Sequence, residues 1–191
     1  MEKQIDFYFD LVSPYSYIAS MLIEDVARRG NAKISWKPFL LGGIFKAVGT
    51  TEAPGLHPIK KPYLLKDLQR LSKHLKIPIT MPPDFPVRTV LAMRTLCGFN
   101  ADEISQAANT LYKAYWVNNK DIADPDVVAS LVGRDAVEQA GMQEVKDKLF
   151  QSTEEAVRRG AFGAPTFFVK DEMFFGHDRL PLVELHLNGQ I

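Results

Sequence analysis

Apolar and polar residues alternate from Gln4 to Phe9, a period of two that predicts a strand. The period then changes. Residues 14–29 carry a helical stripe of Ile18, Leu22 and Val26, with Arg28 and Arg29 at the carbonyl end and Gly30 as a stop. Ile34 to Pro38 reads as a second strand, so the chain opens β-α-β, the arrangement that pairs strands in parallel. A loop punctuated by Gly and Pro is expected from Leu41 to Pro62. From Tyr63 to about Gly160 the periodicity is helical. Leu64, Leu68, Leu71 and Leu75 form one stripe, and Ile104, Ala108, Leu111 and Tyr115 another. Asp124-Pro125 starts a helix through Val128, Leu131 and Val132, and Glu144 to Arg159 is a further amphipathic helix. The proline-rich run Ile77 to Pro86 reads as a rigid connector. Strand signals return in Thr166–Val169 and Met173–Phe175, a hairpin around the polar turn Lys170-Asp171-Glu172. A short helix from about Arg179 to Leu187 closes the chain.

The order β-α-β, helices, β-β-α predicts an α/β chain with a thioredoxin-like fold and a large all-helical insertion. On this reading 1–55 and 160–191 form one discontinuous thioredoxin-like domain, and 56–159 is the insertion. The 191 residues, 46% of them hydrophobic, suffice for a sizeable core. A formal net charge of zero gives no argument for nucleic acid or a membrane surface as partner. The basic segment from His57 to Lys76 reads as a solvated helix face. With no basic leader and no apolar run of membrane-spanning length, a cytoplasmic protein is expected. The single cysteine, Cys97, excludes an internal disulfide, a Cys-x-x-Cys redox pair and a thiolate metal site. It lies in an apolar helical run and reads as an inert core residue. His57, His74, His177 and His186 show no spacing that argues for a catalytic triad.

Two short motifs carry the candidate chemistry. Ser13-Pro14-Tyr15-Ser16 lies where the first strand turns into the first helix. Serine there is a favoured N-cap and proline a favoured first helical residue. The same four residues have the spacing of a thioredoxin-type Cys-x-x-Cys with serines in place of thiols. A helix N-terminus stabilises a thiolate whether the sulfur belongs to the protein or to a ligand. The second motif, Gly160-Ala161-Phe162-Gly163-Ala164-Pro165-Thr166, brings a proline to the first position of a strand, where no ladder hydrogen bond is needed from it.

Together these residues resemble the family of kappa-class glutathione transferases and 2-hydroxychromene-2-carboxylate isomerases, relatives of the bacterial disulfide-bond oxidoreductases. The resemblance rests on Phe7 to Tyr17, Leu41 to Lys46, Lys76 to Ile79, Arg159 to Thr166 and Phe175 to Leu180. It implies glutathione as cofactor, a small electrophilic or aromatic substrate, and a homodimer. It further implies that the Ser13 hydroxyl meets the glutathione sulfur and that Ala164, before a cis-Pro165, pairs with its cysteinyl part. His177, Asp178 and Arg179 would hold the γ-glutamyl end, with Asp178 on the ammonium group. Capping of the last helix remains the alternative role for Asp178, and plain surface that for Arg179. Phe45, Lys46 and Phe85 would line the substrate pocket; Lys60 and Lys61 are further candidates to meet a substrate carboxylate. Two positions depart from the family pattern. Gly49-Thr50-Thr51-Glu52 stands where the family carries an asparagine, and Phe85 where the naphthalene-pathway isomerases have a tyrosine. The expected activity is glutathione-dependent isomerisation, with kappa-type conjugation as the alternative and a non-catalytic peptide-binding module behind both.

Overall fold

In the computed structural model, residues 2–50 and 55–191 are described. Of the segment Gly49-Thr50-Thr51-Glu52, which departs from the family pattern, Thr51 and Glu52 lie outside the described residues, while Gly49 and Thr50 are exposed.

Strand β1 (Lys3–Phe9) runs through the middle of the sheet, in the order β2-β1-β3-β4. It pairs in parallel with β2 (Ala32–Pro38) and antiparallel with β3 (Thr166–Val169), which pairs antiparallel with β4 (Glu172–Phe175). The alternation in β1 sends Ile5, Phe7 and Phe9 to one face, where they join the main core. Tyr8 points to the other face and is equally buried, packed with Phe39, Ile44, Ala156 and Phe168. Both faces are therefore covered. Phe7 stands opposite Trp36 and Phe167, with ring centroids 5.0 and 5.2 Å away, so aromatic pairs hold β2, β1 and β3 in register. The hairpin turn is tighter than expected: Glu172 already belongs to β4, and Lys170 takes the left-handed conformation.

Helix α1 (Pro14–Gly30) and α9 (Leu180–Leu187) pack together over the Phe7 face. Gly30 does not stop α1. The stop is Asn31, left-handed at φ 50°, while Gly30 lies inside the last turn, where a Cβ would fall 2.6 Å from Leu187 Cδ1. The glycine is needed for close approach rather than for termination. The final helix also differs: His177–Arg179 form a 3-10 turn, and α9 begins at Leu180.

The expected loop from Leu41 to Pro62 contains helix α2 (Leu41–Ala47), and α3 (Lys60–Leu75) starts before its end. The pair Gly42-Gly43 hides α2 from a propensity argument. Tertiary contacts hold it instead: Leu40 donates its amide to Thr153, and a Cβ on Gly43 would lie 2.9 Å from the Thr153 methyl group. The helical block continues through α4 (Val90–Cys97), α5 (Ile104–Trp116), α6 (Pro125–Val132), α7 (Arg134–Gln139) and α8 (Gln143–Arg158). Asp124 caps α6 by accepting the Asp126 amide, as the Asp-Pro pair predicts. The block shares one core with the sheet, since Tyr112 packs on Phe9 and the Trp116 indole donates to Leu11 O at 2.9 Å.

Arg159 ties α8 to the sheet. Its guanidinium lies 3.8 Å from the Phe168 ring centroid, donates to Asp6 at 2.7 Å and to the carbonyl of Lys170 at 2.6 Å. The ion pair is largely shielded, at 23% and 17% side-chain exposure. Arg159→Ala should lower stability by about 2 kcal/mol in urea unfolding, combining a partly buried ion pair with a cation–π contact. Arg159→Lys should recover only part of this, because an ammonium cannot make the planar two-armed contact.

Candidate active site at the start of the first helix

Ser13 ends the β1–α1 junction in an extended conformation (φ −86°, ψ 115°), which lets its side chain turn back over the helix. Its hydroxyl oxygen accepts the Ser16 amide at 3.1 Å, the capping bond predicted from sequence. The same hydroxyl donates to Ala164 O at 3.1 Å, bridging 151 residues. The Ala164–Pro165 peptide is cis, and Pro165 O accepts the Gly176 amide at 3.0 Å. The two motifs are thus hydrogen-bonded to each other. The Ala164 amide has no hydrogen-bond partner among the described residues. Ser16 is fully buried and absent from the cavity wall, so only the first serine of the pair presents its hydroxyl there.

Ser13 and Ala164 border a cavity of about 560 Å³ walled mainly by apolar side chains, among them Leu41, Phe45, Leu56, Leu64 and Phe85. Phe45 is half-buried in this wall. Phe85 packs on Trp116 at 5.8 Å, and the Phe85–Pro86 peptide is a second cis bond that nothing in the sequence announced. Lys46, Lys60 and Lys61 are exposed and none of them lines the cavity.

Asp10 is the site residue whose role sequence reasoning missed. Its carboxylate is 2% exposed and accepts three hydrogen bonds: from the Thr89 hydroxyl at 2.7 Å, the Leu41 amide at 2.9 Å and the Val12 amide at 3.2 Å. These donors come from the start of α4, the start of α2 and the Ser13 junction, so one side chain pins three cavity walls together. Burial pushes the carboxyl group above the ordinary carboxylate range, and the three donors oppose that shift. The available signal was an acidic residue inside an otherwise apolar motif.

Tyr15 separates this cavity from a smaller hollow. Its hydroxyl donates to Asp67 of α3 at 2.9 Å, and its ring stacks on His177 with centroids 5.2 Å apart. His177 and Asp178 border the hollow of about 360 Å³ beyond Tyr15, between α1, α3 and α9, and do not line the Ser13 cavity. Burial lowers the His177 imidazole below its ordinary value. Arg179 borders neither space and pairs with Asp178 at 2.7 Å.

A groove of about 620 Å³ beside β2 is larger but contains none of the motif residues. Cys97 lines it, and burial pushes that thiol up to about 12, which makes it a poor nucleophile at neutral pH. Among the described residues no cluster of His, Cys, Asp and Glu is arranged to hold a metal ion, and no helix is long and apolar enough to cross a membrane.

Residues 4–188 match a family model described as a DSBA-like thioredoxin domain. Among curated proteins, the chain is 32% identical to human glutathione S-transferase kappa 1 over 100% of its own length and 92% of the relative's. It is 30% identical to a 2-hydroxychromene-2-carboxylate isomerase of Sphingobium xenophagum, over 98% and 99% of the two chains. Among solved structures, a 2-hydroxychromene-2-carboxylate isomerase superposes with a TM-score of 0.86 at 26% identity, covering 97% of this chain and 95% of the other.

Proposed function

This chain belongs to the DSBA-like thioredoxin family, in the group of kappa-class glutathione transferases and 2-hydroxychromene-2-carboxylate isomerases, and from that premise we propose that it is a glutathione-dependent isomerase acting on a conjugated aromatic substrate. One observation carries the proposal: the Ser13 hydroxyl sits at the N-terminus of α1, bonded to the carbonyl before Pro165, on the wall of an apolar cavity.

The residues present fit glutathione. Ser13 has one hydroxyl proton, held by Ala164 O at 3.1 Å, that can turn to a sulfur anion at the helix N-terminus. The Ala164 amide, without a partner among the described residues, supports pairing with an extended peptide backbone. Asp178 offers a carboxylate for an ammonium group once it releases Arg179, and His177, stacked on Tyr15, borders the hollow next to the Ser13 cavity. When bound, glutathione supplies a thiolate that adds reversibly to a conjugated carbon of the substrate. Around that step Ser13 holds the sulfur charge, while Phe45, Phe85 and their neighbours exclude water and seat a flat ring. The proposal includes a homodimer in the cytoplasm; Leu56, Ile59 and Tyr63 expose apolar surface that a second copy would cover.

The test is turnover of 2-hydroxychromene-2-carboxylate with and without catalytic glutathione. Acceleration with the glutathione concentration unchanged supports the isomerase. Conjugation of chlorodinitrobenzene with one glutathione consumed per turnover, and no isomerisation, would favour the transferase. Phe85 in the wall, which lacks a phenolic hydroxyl, is the observation that favours this second reading.

A further inference from the structure

We propose that Arg88 is the specificity-determining residue of the Ser13 cavity, anchoring the carboxylate of a flat, apolar acid. This inference rests on the glutathione-dependent reading of that cavity and assigns the residue that would hold the carboxylate of its substrate. Among the described residues, Arg88 is the only cation in the wall. The lysines the sequence offered for the task, Lys46, Lys60 and Lys61, are not part of it.

The other polar groups of the wall are already engaged. Asp10 has both carboxyl oxygens occupied by Thr89, Leu41 and Val12, and the Tyr15 hydroxyl is held by Asp67. Ser13 is committed to the thiol end. Arg88, by contrast, is exposed and makes no ion pair or hydrogen bond to another side chain among the described residues. A guanidinium carries a planar fork of donors that matches a carboxylate on two arms and sheds water more readily than an ammonium. Set in a mainly apolar wall, it favours an acid over the neutral amide, whose single carbonyl accepts a weaker, uncharged hydrogen bond while the same wall accepts its ring.

The location of Arg88 relative to the thiol site is also fixed. Its neighbour Thr89 is buried and donates to Asp10 at 2.7 Å; Asp10 in turn holds the Val12 amide, one residue before Ser13. Two hydrogen bonds therefore connect the backbone of the proposed anchor to the backbone carrying the thiolate-stabilising hydroxyl. An acid gripped by Arg88 would therefore share one cavity with the sulfur, on a wall whose backbone is tied to the Ser13 junction.

The experiment is calorimetric titration of cinnamate and of cinnamamide into the protein without glutathione, for wild type, Arg88→Gln and Arg88→Lys. Wild type should prefer the carboxylate by roughly 10- to 100-fold, the range of a charge-assisted hydrogen bond. Arg88→Gln should abolish the preference by weakening cinnamate far more than cinnamamide, and Arg88→Lys should keep part of it. Equal affinity for the two probes in wild type, binding of neither, or a preference that survives in Arg88→Gln would overturn the assignment. Because no turnover is read, a failure of the isomerase reading shows in the assay of the preceding subsection and leaves this result distinct.

Discussion

Ser13→Ala is expected to raise the pKa of enzyme-bound glutathione by about one to two units and to slow thiol-dependent turnover roughly 10- to 100-fold. A free thiol near pKa 8.5 is only a few per cent ionised at neutral pH, and lowering it by two units takes about 2.7 kcal/mol. A hydrogen bond to an anion supplies about 1.5–3 kcal/mol, and a helix N-terminus about 0.3–1 kcal/mol. Removing the hydroxyl removes the larger contribution and leaves the smaller. The substitution also removes a cap, because Ser13 accepts the Ser16 amide, and that costs about 1 kcal/mol of stability. Ser13→Gly separates the two effects: glycine is tolerated at an N-cap with a loss of only a few tenths of a kcal/mol, yet it lacks the hydroxyl just as alanine does. Equal loss of turnover in both variants, with different melting temperatures, would assign the effect to the hydroxyl. Thiolate absorbance of bound glutathione against pH is the direct measurement, and an unchanged pKa in both variants would sink the role given to Ser13.

The second large effect is expected at Asp10. Asp10→Ala leaves the Thr89 hydroxyl and the amides of Leu41 and Val12 without their acceptor. Each buried donor so orphaned costs about 1–3 kcal/mol, and the three are coupled, so the total is placed at about 3–5 kcal/mol. For a chain of this size that lowers the melting temperature by roughly 10 °C. Turnover of the surviving fold should fall as well, since three cavity walls lose their common tie. Asp10→Asn isolates the charge. Burial raises the Asp10 carboxyl above its unfolded value, so the folded state holds this proton more tightly than the unfolded chain. The Asp10 contribution to stability is therefore most favourable at acid pH and declines as pH rises from the ordinary carboxylate value through the raised one. Asparagine does not titrate, so the stability of wild type relative to Asp10→Asn should shrink as pH increases across that window. Denaturant unfolding of both proteins over the acid range checks the sign. A difference that grows with pH would mean that the three donors outweigh burial.

Much of the fold was legible because its signals are local. The alternation of Ile5, Phe7 and Phe9 and the Asp-Pro start of α6 depend on neighbours a few residues away, and each appears where the pattern predicts it. Where the reading slipped, the deciding contact was distant. Gly30 looks like a helix stop until Leu187 is packed against it. Gly42 and Gly43 look like loop until Asp10 takes the Leu41 amide and Thr153 the Leu40 amide.

The candidate site divides along the same line. Ser13 as a cap, and Pro165 as a residue at a strand start, follow from composition and order alone, because capping and strand-end preferences are properties of one turn of chain. Resemblance gave Ser13 and Ala164 a common ligand, but the hydrogen bond between them, across 151 residues, comes only from the folded molecule. The engagement of Asp10 with Thr89 across 79 residues had no sequence signal beyond an acid in an apolar run, and the presence of Arg88 in the cavity wall had none. His177 and Asp178 could be named through resemblance, but not the fact that Tyr15 stands between them and the Ser13 cavity. By itself the sequence determined the strands, the longer helices, their order and the residue types at the α1 terminus, since periodicity and capping act between near neighbours. The tertiary structure decided which side chains share a cavity and which have their charge already satisfied. Those outcomes depend on burial and on partners that only chain closure brings within hydrogen-bond range.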